Sequence, residues 1–117
     1  EIYQCDWSSD VCSSDLYNYE ANILVYKNGH NMKPHTDSMS KRFCTTILYL
    51  NNRPENASGG EIVFYNDEFE PINIHIVNKG ELLILDAMGI DGIIHSVNTI
   101  KNWNRICFRT YWEYKNN

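Results

Sequence analysis

The feature that most constrains this chain is its punctuation. From residue 21 onward, short runs rich in β-branched and aromatic residues recur: ANILVY (21–26), CTTILYL (44–50), EIVFY (61–65), INIHIV (72–77), ELLILD (81–86), IIHSV (93–97) and RICFRTYWEY (105–114). Between them stand KNGHN, NNRPENASGG, NDEFEP, NKG, MGIDG and NTIKNWN, dense in Asn, Gly, Asp and Pro. Branched and aromatic side chains suit a pleated surface, and the separating residues supply turn conformations. No segment of helical period reaches ten residues and no internal repeat is visible. Strands this short and this closely spaced predict one all-β domain, an antiparallel sandwich or barrel.

The first sixteen residues break the pattern. They show no alternation, no helical period and no cap, only polar turn formers around Trp7, Cys5 and Cys12. Reversing the genetic code, Cys5 to Leu16 reads letter for letter as a translated sequencing-library adapter. Its upstream bases account for Glu1 to Gln4. Residues 1–16 are therefore expected to be a non-native, disordered segment, with 17–117 as the folding unit and the true N-terminus upstream. Four of the fifteen acidic residues behind the net charge of −5 lie in that segment, so the rest is near neutral. Such a balance gives no reason to expect a nucleic-acid partner. No apolar run approaches the ~18 residues of a membrane span. With the true N-terminus expected upstream, a targeting signal is unobservable and the location is unknown, the cytoplasm being slightly favoured. Of the four cysteines only Cys44 and Cys107 remain, each among apolar neighbours, where buried reduced thiols are expected.

Chemistry enters at MKPHTDSM. In an extended segment residues i and i+2 project to one face, so His35 and Asp37 can address one small object such as a metal ion. Alone, the pair is equally a surface His and Asp. His95, in the apolar stretch DGIIHSVNTI, needs a hydrogen-bond partner or a metal to justify burial. Two His and one Asp from different strands form a facial set that leaves three positions open on an octahedral iron. His30, in a Gly/Asn loop, and His75, in a strand, read as structural or surface residues. Ten residues after His95 stands Arg105, whose planar guanidinium is costly inside a barrel unless a carboxylate pairs with it. Arg109 lies on the same strand face at i+4 and can support Arg105 or exchange roles with it.

Taken in order, H-x-D at 35–37, S-G-G-E at 58–61, K-G-E-L-L-I-L at 79–85, and H-S-V at 95–97 with Arg105 ten residues after His95 form a set. It resembles the iron(II)- and 2-oxoglutarate-dependent dioxygenases of the prolyl 4-hydroxylase type, from about Asn22 to Tyr114. The resemblance implies a double-stranded β-helix, or jelly roll, without the N-terminal helices found in that family. It implies Fe(II) on His35, Asp37 and His95, with Arg105 on the distal carboxylate of 2-oxoglutarate. Tyr49, in TTILYLN, and Tyr26, nine residues before His35 with Gly29 between, match family tyrosines at the co-substrate. The implied reaction consumes O2 and 2-oxoglutarate, releases succinate and CO2, and hydroxylates a substrate C–H bond, with ascorbate as reductant. Asp37 favours hydroxylation over halogenation, because related halogenases carry a small residue there. The implied substrate is a peptide, with peptidyl proline the family-level expectation, or a small molecule. Met32, Arg109 and Tyr111 stand at positions that differ among relatives. The competing expectation is a non-catalytic cupin-like barrel binding a metal or a small carboxylate.

Overall fold

The computed structural model describes residues 16–39, 42–87 and 92–114. The adapter-matching residues 1–15 and residues 88–91 of the MGIDG stretch lie outside that range. Eight strands follow in order: β1 (Leu16–Tyr26), β2 (Met32–His35), β3 (Arg42–Tyr49), β4 (Ile62–Tyr65), β5 (Pro71–His75), β6 (Leu82–Asp86), β7 (Ile94–Val97) and β8 (Arg105–Tyr114). They form two four-stranded sheets, ordered β1-β8-β3-β6 and β2-β7-β4-β5, and every pair is antiparallel. Apart from the β4–β5 hairpin, each connection carries the chain from one sheet to the other. That alternation is the jelly roll expected from the sequence.

All seven runs singled out by composition are strands. The eighth, β2, has no β-branched residue and contains Pro34, so composition does not mark it. Proline removes a donor from the ladder, and β2 tolerates it because it lies at a sheet edge, paired only with β7. β1 also begins earlier than expected, since Leu16 pairs with Tyr114. Backbone pairing along the exposed edge of β8 is blind to side-chain identity, so the strand extends to the end of its partner.

The core lies between the sheets and comprises Ile47, Tyr49, Ile62, Val77, Leu85, Ile100, Trp103 and Cys107. Alternation aims Thr45, Ile47 and Tyr49 of β3 inward, and burying each large aliphatic contributes about 1.5–3 kcal/mol. A register shift between Arg42 and Cys44 reverses the pattern at the start of β3. As a result Phe43 packs edge-on against Tyr114, and Arg42 turns onto Tyr111. Both described cysteines are free; Cys107 is buried as expected, while Cys44 is only half-buried. No helix among the described residues is long and apolar enough to cross a membrane.

Candidate active site

Three of the sequence-predicted residues converge where β2 meets β7. The two strands pair with His35 directly opposite His95, placing their rings 4.4 Å apart. Asp37, two residues past the end of β2, returns to the same face. Its Oδ1 lies 3.2 Å from His35 Nε2 and 3.7 Å from His95 Nε2. The candidate donor atoms of the three residues all lie within 4.8 Å of one another.

The donor set fits a metal ion on two further counts. His35 Nδ1 lies 2.7 Å from the Lys33 carbonyl and His95 Nδ1 lies 2.9 Å from the Ile93 carbonyl. A carbonyl oxygen only accepts, so each Nδ1 carries the proton and each Nε2 lone pair is free to ligate. Metal bonds of about 2.1 Å set at right angles place neighbouring donors about 3 Å apart, close to the His35–Asp37 separation. Electrostatics separates the two imidazoles. When the ring is protonated, His35 Nε2–H donates to Asp37, which lifts His35 above its ordinary pKa against the opposing effect of burial. Desolvation pushes His95 below its own. Burial raises the Asp37 carboxyl, but the His35 hydrogen bond and the His95 charge outweigh it and hold the group below the usual range. Arg42 donates from a guanidinium nitrogen to the Asp37 carbonyl at 2.8 Å and pins the backbone there.

Arg105, at the start of β8, is the most deeply placed charge, with 2% of its surface exposed. Its Nε donates to the Gly60 carbonyl at 3.0 Å, and its terminal nitrogens reach Tyr49 Oη at 3.3 Å and Cys107 Sγ at 3.9 Å. The guanidinium carbon sits 5.0 Å from the ring centres of both Tyr26 and Tyr49. Desolvation raises the pKa of Tyr49 to about 12 and also raises Tyr26 and Cys107. All three are therefore neutral, and the cation makes no ion pair with any described residue. Burying a charge without a counter-ion is expensive, so this pocket is built for an anion.

Gly59 and Gly60 of the S-G-G-E motif make that placement possible. Both have positive φ, 77° and 83°. A Cβ on Gly59 would lie 1.7 Å from the Thr99 carbonyl oxygen. On Gly60 it would lie 2.5 Å from Trp103 and 2.8 Å from Ile100. Arg53 binds both the Gly59 carbonyl and Glu61, while Asn98 donates to Glu61. Trp103 Nε1 donates to the Ser58 carbonyl. The clasp thus fixes the carbonyl that orients Arg105.

Tyr26, His35, Asp37, His95, Arg105, Arg109 and Tyr111 all line one cavity. Tyr49 stands behind Arg105 in the core. His30 and His75 do not join them: His30 Nδ1 accepts the Lys27 amide, and His75 Nε2 meets Glu81 at 2.9 Å. Sequence reading missed Arg42, Asn22 and the Gly60 carbonyl. Arg42 reaches the site only through the register shift, and a backbone carbonyl has no sequence signature.

A protein-family model described as the 2OG-Fe(II) oxygenase superfamily matches residues 21–113. The chain belongs to that superfamily. Solved structures agree on the fold of this superfamily member. A prolyl-4-hydroxylase from Pseudomonas putida superimposes with a TM-score of 0.67 at 17% identity, over 83% of this chain and 52% of its own. An oxidoreductase of the 2OG-Fe(II) oxygenase family from Burkholderia pseudomallei gives 0.69 at 15%, over 88% and 47%. A viral collagen prolyl hydroxylase from Paramecium bursaria Chlorella virus-1, in complex with 2OG, gives 0.65 at 18%, over 93% and 66%. The chain thus spans about half the length of the first two. None of the curated proteins compared matches its sequence.

Proposed function

We propose that this chain carries the catalytic barrel of an Fe(II)- and 2-oxoglutarate-dependent dioxygenase that hydroxylates a substrate C–H bond. One observation carries the reading. A two-His, one-Asp donor set and a buried guanidinium without a counter-ion share a single cavity. A metal alone would explain the first feature and leave the second without purpose. The family match supports the same conclusion.

In this reading His35 Nε2, His95 Nε2 and Asp37 hold Fe(II), and Arg105 holds the distal carboxylate of 2-oxoglutarate. Iron and 2-oxoglutarate together supply the oxidation: one oxygen atom of O2 enters the substrate as hydroxyl, the other enters succinate, and CO2 leaves. The chain's own residues position and desolvate. The Nδ1–H bonds to Lys33 and Ile93 fix both imidazoles as Nε2 donors. Tyr49, held protonated by burial, adds a hydroxyl beside the guanidinium. Tyr26 flanks it and excludes water. Asp37 would supply a carboxylate ligand to the iron, and with that ligand in place the chemistry supplied would be hydroxylation rather than halogenation. Ascorbate serves as reductant. The structural neighbours named as prolyl hydroxylases suggest a prolyl residue as substrate, in a peptide or a small molecule.

Succinate formation from 2-oxoglutarate under Fe(II), O2 and ascorbate tests the reading, with a peptide and small-molecule panel. Turnover that is lost together with bound iron in His35→Ala is the expected result. Metal binding without 2-oxoglutarate turnover would return the chain to a non-catalytic, cupin-like barrel.

A further inference from the structure

A second guanidinium in the cavity has no assigned task. Arg109 lines the same space as His35, Asp37 and His95. Its single hydrogen bond runs to Asn22 Oδ1 at 3.2 Å, and its guanidinium carbon lies 4.3 Å from the Tyr111 ring centre. Its Nε is buried without a partner. Arg42, 7% exposed, stacks on the same ring at 3.6 Å, and its Nε is likewise buried and unpartnered. Neither arginine makes an ion pair with any described residue.

Charge balance shows what is missing. Under the function proposed above, Fe(II) and Arg105 bring three positive charges, and Asp37 with the two carboxylates of 2-oxoglutarate brings three negative ones. Glu113, opposite Arg42 in the strand register and 9% exposed, can offset Arg42. Glu20, opposite Tyr111 on β1, is exposed and makes no ion pair. Arg109 then remains as one uncompensated cation beside the metal position. The co-substrate is poorly placed to serve it. Four residues of strand separate Arg109 from Arg105 by about 13 Å of backbone, and a five-carbon diacid held by Arg105 already spends its other carboxylate on the metal.

We infer that Arg109, presented by Asn22 and the Tyr111 face, is the subsite for a carboxylate on the substrate itself. The inference rests on the dioxygenase reading and narrows its substrate class. The substrate is a free acid, such as a C-terminal residue or a free amino acid, rather than an internal residue of a peptide. A planar guanidinium whose Nε–H is still unpartnered can offer such a carboxylate a two-point contact.

Matched probes that differ only in charge test this: the N-acetyl derivatives of proline, leucine and lysine, each as acid and as amide. They are titrated calorimetrically into the Zn(II)-loaded full chain, with and without 2-oxoglutarate. At least one acid is expected to bind tenfold or more tightly than its amide and to shift the Arg109 Nε–H resonance. Arg109→Gln should bring that ratio to within twofold of unity, and Arg109→Lys should restore part of it. An equal affinity of acids and amides in the unaltered chain would overturn the inference, and this comparison does not depend on any variant folding. A larger loss of 2-oxoglutarate binding than of acid binding in Arg109→Gln would overturn it too, by placing Arg109 on the co-substrate. Acid-selective binding without succinate formation under Fe(II) and O2 counts against the dioxygenase and leaves the subsite standing. Succinate formation stimulated equally by acid and amide does the reverse.

Discussion

Single residues divide into those whose role the chain order announces and those whose role depends on one neighbour. His35 and Asp37 belong to the first group, because a two-residue spacing on an extended backbone puts both on one face whatever surrounds them. Arg105 belongs to the second. Its worth lies in the absence of any acid beside it, which no local spacing reveals. Tyr49 carries a prediction at this scale. Its hydroxyl is the one oxygen that meets the terminal nitrogens of Arg105 among the described residues, and a hydrogen bond to a charged group contributes about 1.5–3 kcal/mol. Tyr49→Phe should therefore raise KM for 2-oxoglutarate by about tenfold or more while kcat changes little. Steady-state kinetics checks it; an equal loss in kcat would place Tyr49 at the reacting centre instead. His95→Ala should abolish iron retention through desalting, measured by elemental analysis. The imidazole comes from β7, a different strand from His35, and two donors from one segment do not close the set.

Among the elements, the S-G-G-E turn matters most. Its glycines are required by positive φ and by close approach, and they deliver one carbonyl to Arg105. Gly60→Ala forces a side chain against Trp103 and Ile100 in a left-handed backbone conformation. A loss of at least ~2 kcal/mol in urea unfolding is expected, together with weaker 2-oxoglutarate binding in whatever protein remains folded. The Arg53–Glu61–Asn98 clasp gives the turn a pH dependence. Burial raises the Glu61 carboxyl, but the hydrogen bonds from Asn98 and Arg53 prevail and hold it below its ordinary value. A depressed folded-state pKa contributes stability above the unfolded value, near 4.3, and that contribution is lost as pH falls through the folded value. Glu61→Gln should be less stable than the parent at pH 7, with the gap closing below about pH 4. Urea midpoints at both pH values decide it; a gap independent of pH would mean that Glu61 acts through packing alone.

At the scale of the whole molecule, one sheet of the described residues presents an apolar outer face. The strand register aligns Ile23 with Phe108, Phe108 with Leu48, and Leu48 with Leu82, a row that crosses all of sheet β1-β8-β3-β6 on its outer side. Ile84 stands beside it. Ile23, Leu82 and Ile84 are 66%, 59% and 62% exposed. Contiguous exposed apolar side chains of this kind favour association over solvation. Replacing Ile23 and Ile84 by Lys should lower self-association in light scattering at equal concentration without lowering the urea midpoint. Unchanged scattering would locate the association elsewhere.

Sequence by itself determined the fold class and marked the candidate donor triad. Alternating branched residues between turn formers allow little but antiparallel strands, and the order H-x-D, His, Arg survives any detail of packing. It also marked seven of the eight strands, missing β2 because pairing with β7, not composition, makes that segment a strand. Tertiary structure decided the rest. It set Arg105 deep among neutral groups and Arg109 along the cavity that His35, Asp37 and His95 also line. Two arginines at i and i+4 share one strand face; spacing from His95 singles out Arg105, but what stands in front of each is set by the opposite sheet and the glycine turn. It also brought Arg42 into the site through a one-residue shift in register, which reverses a strand's faces and which no periodicity in the sequence records.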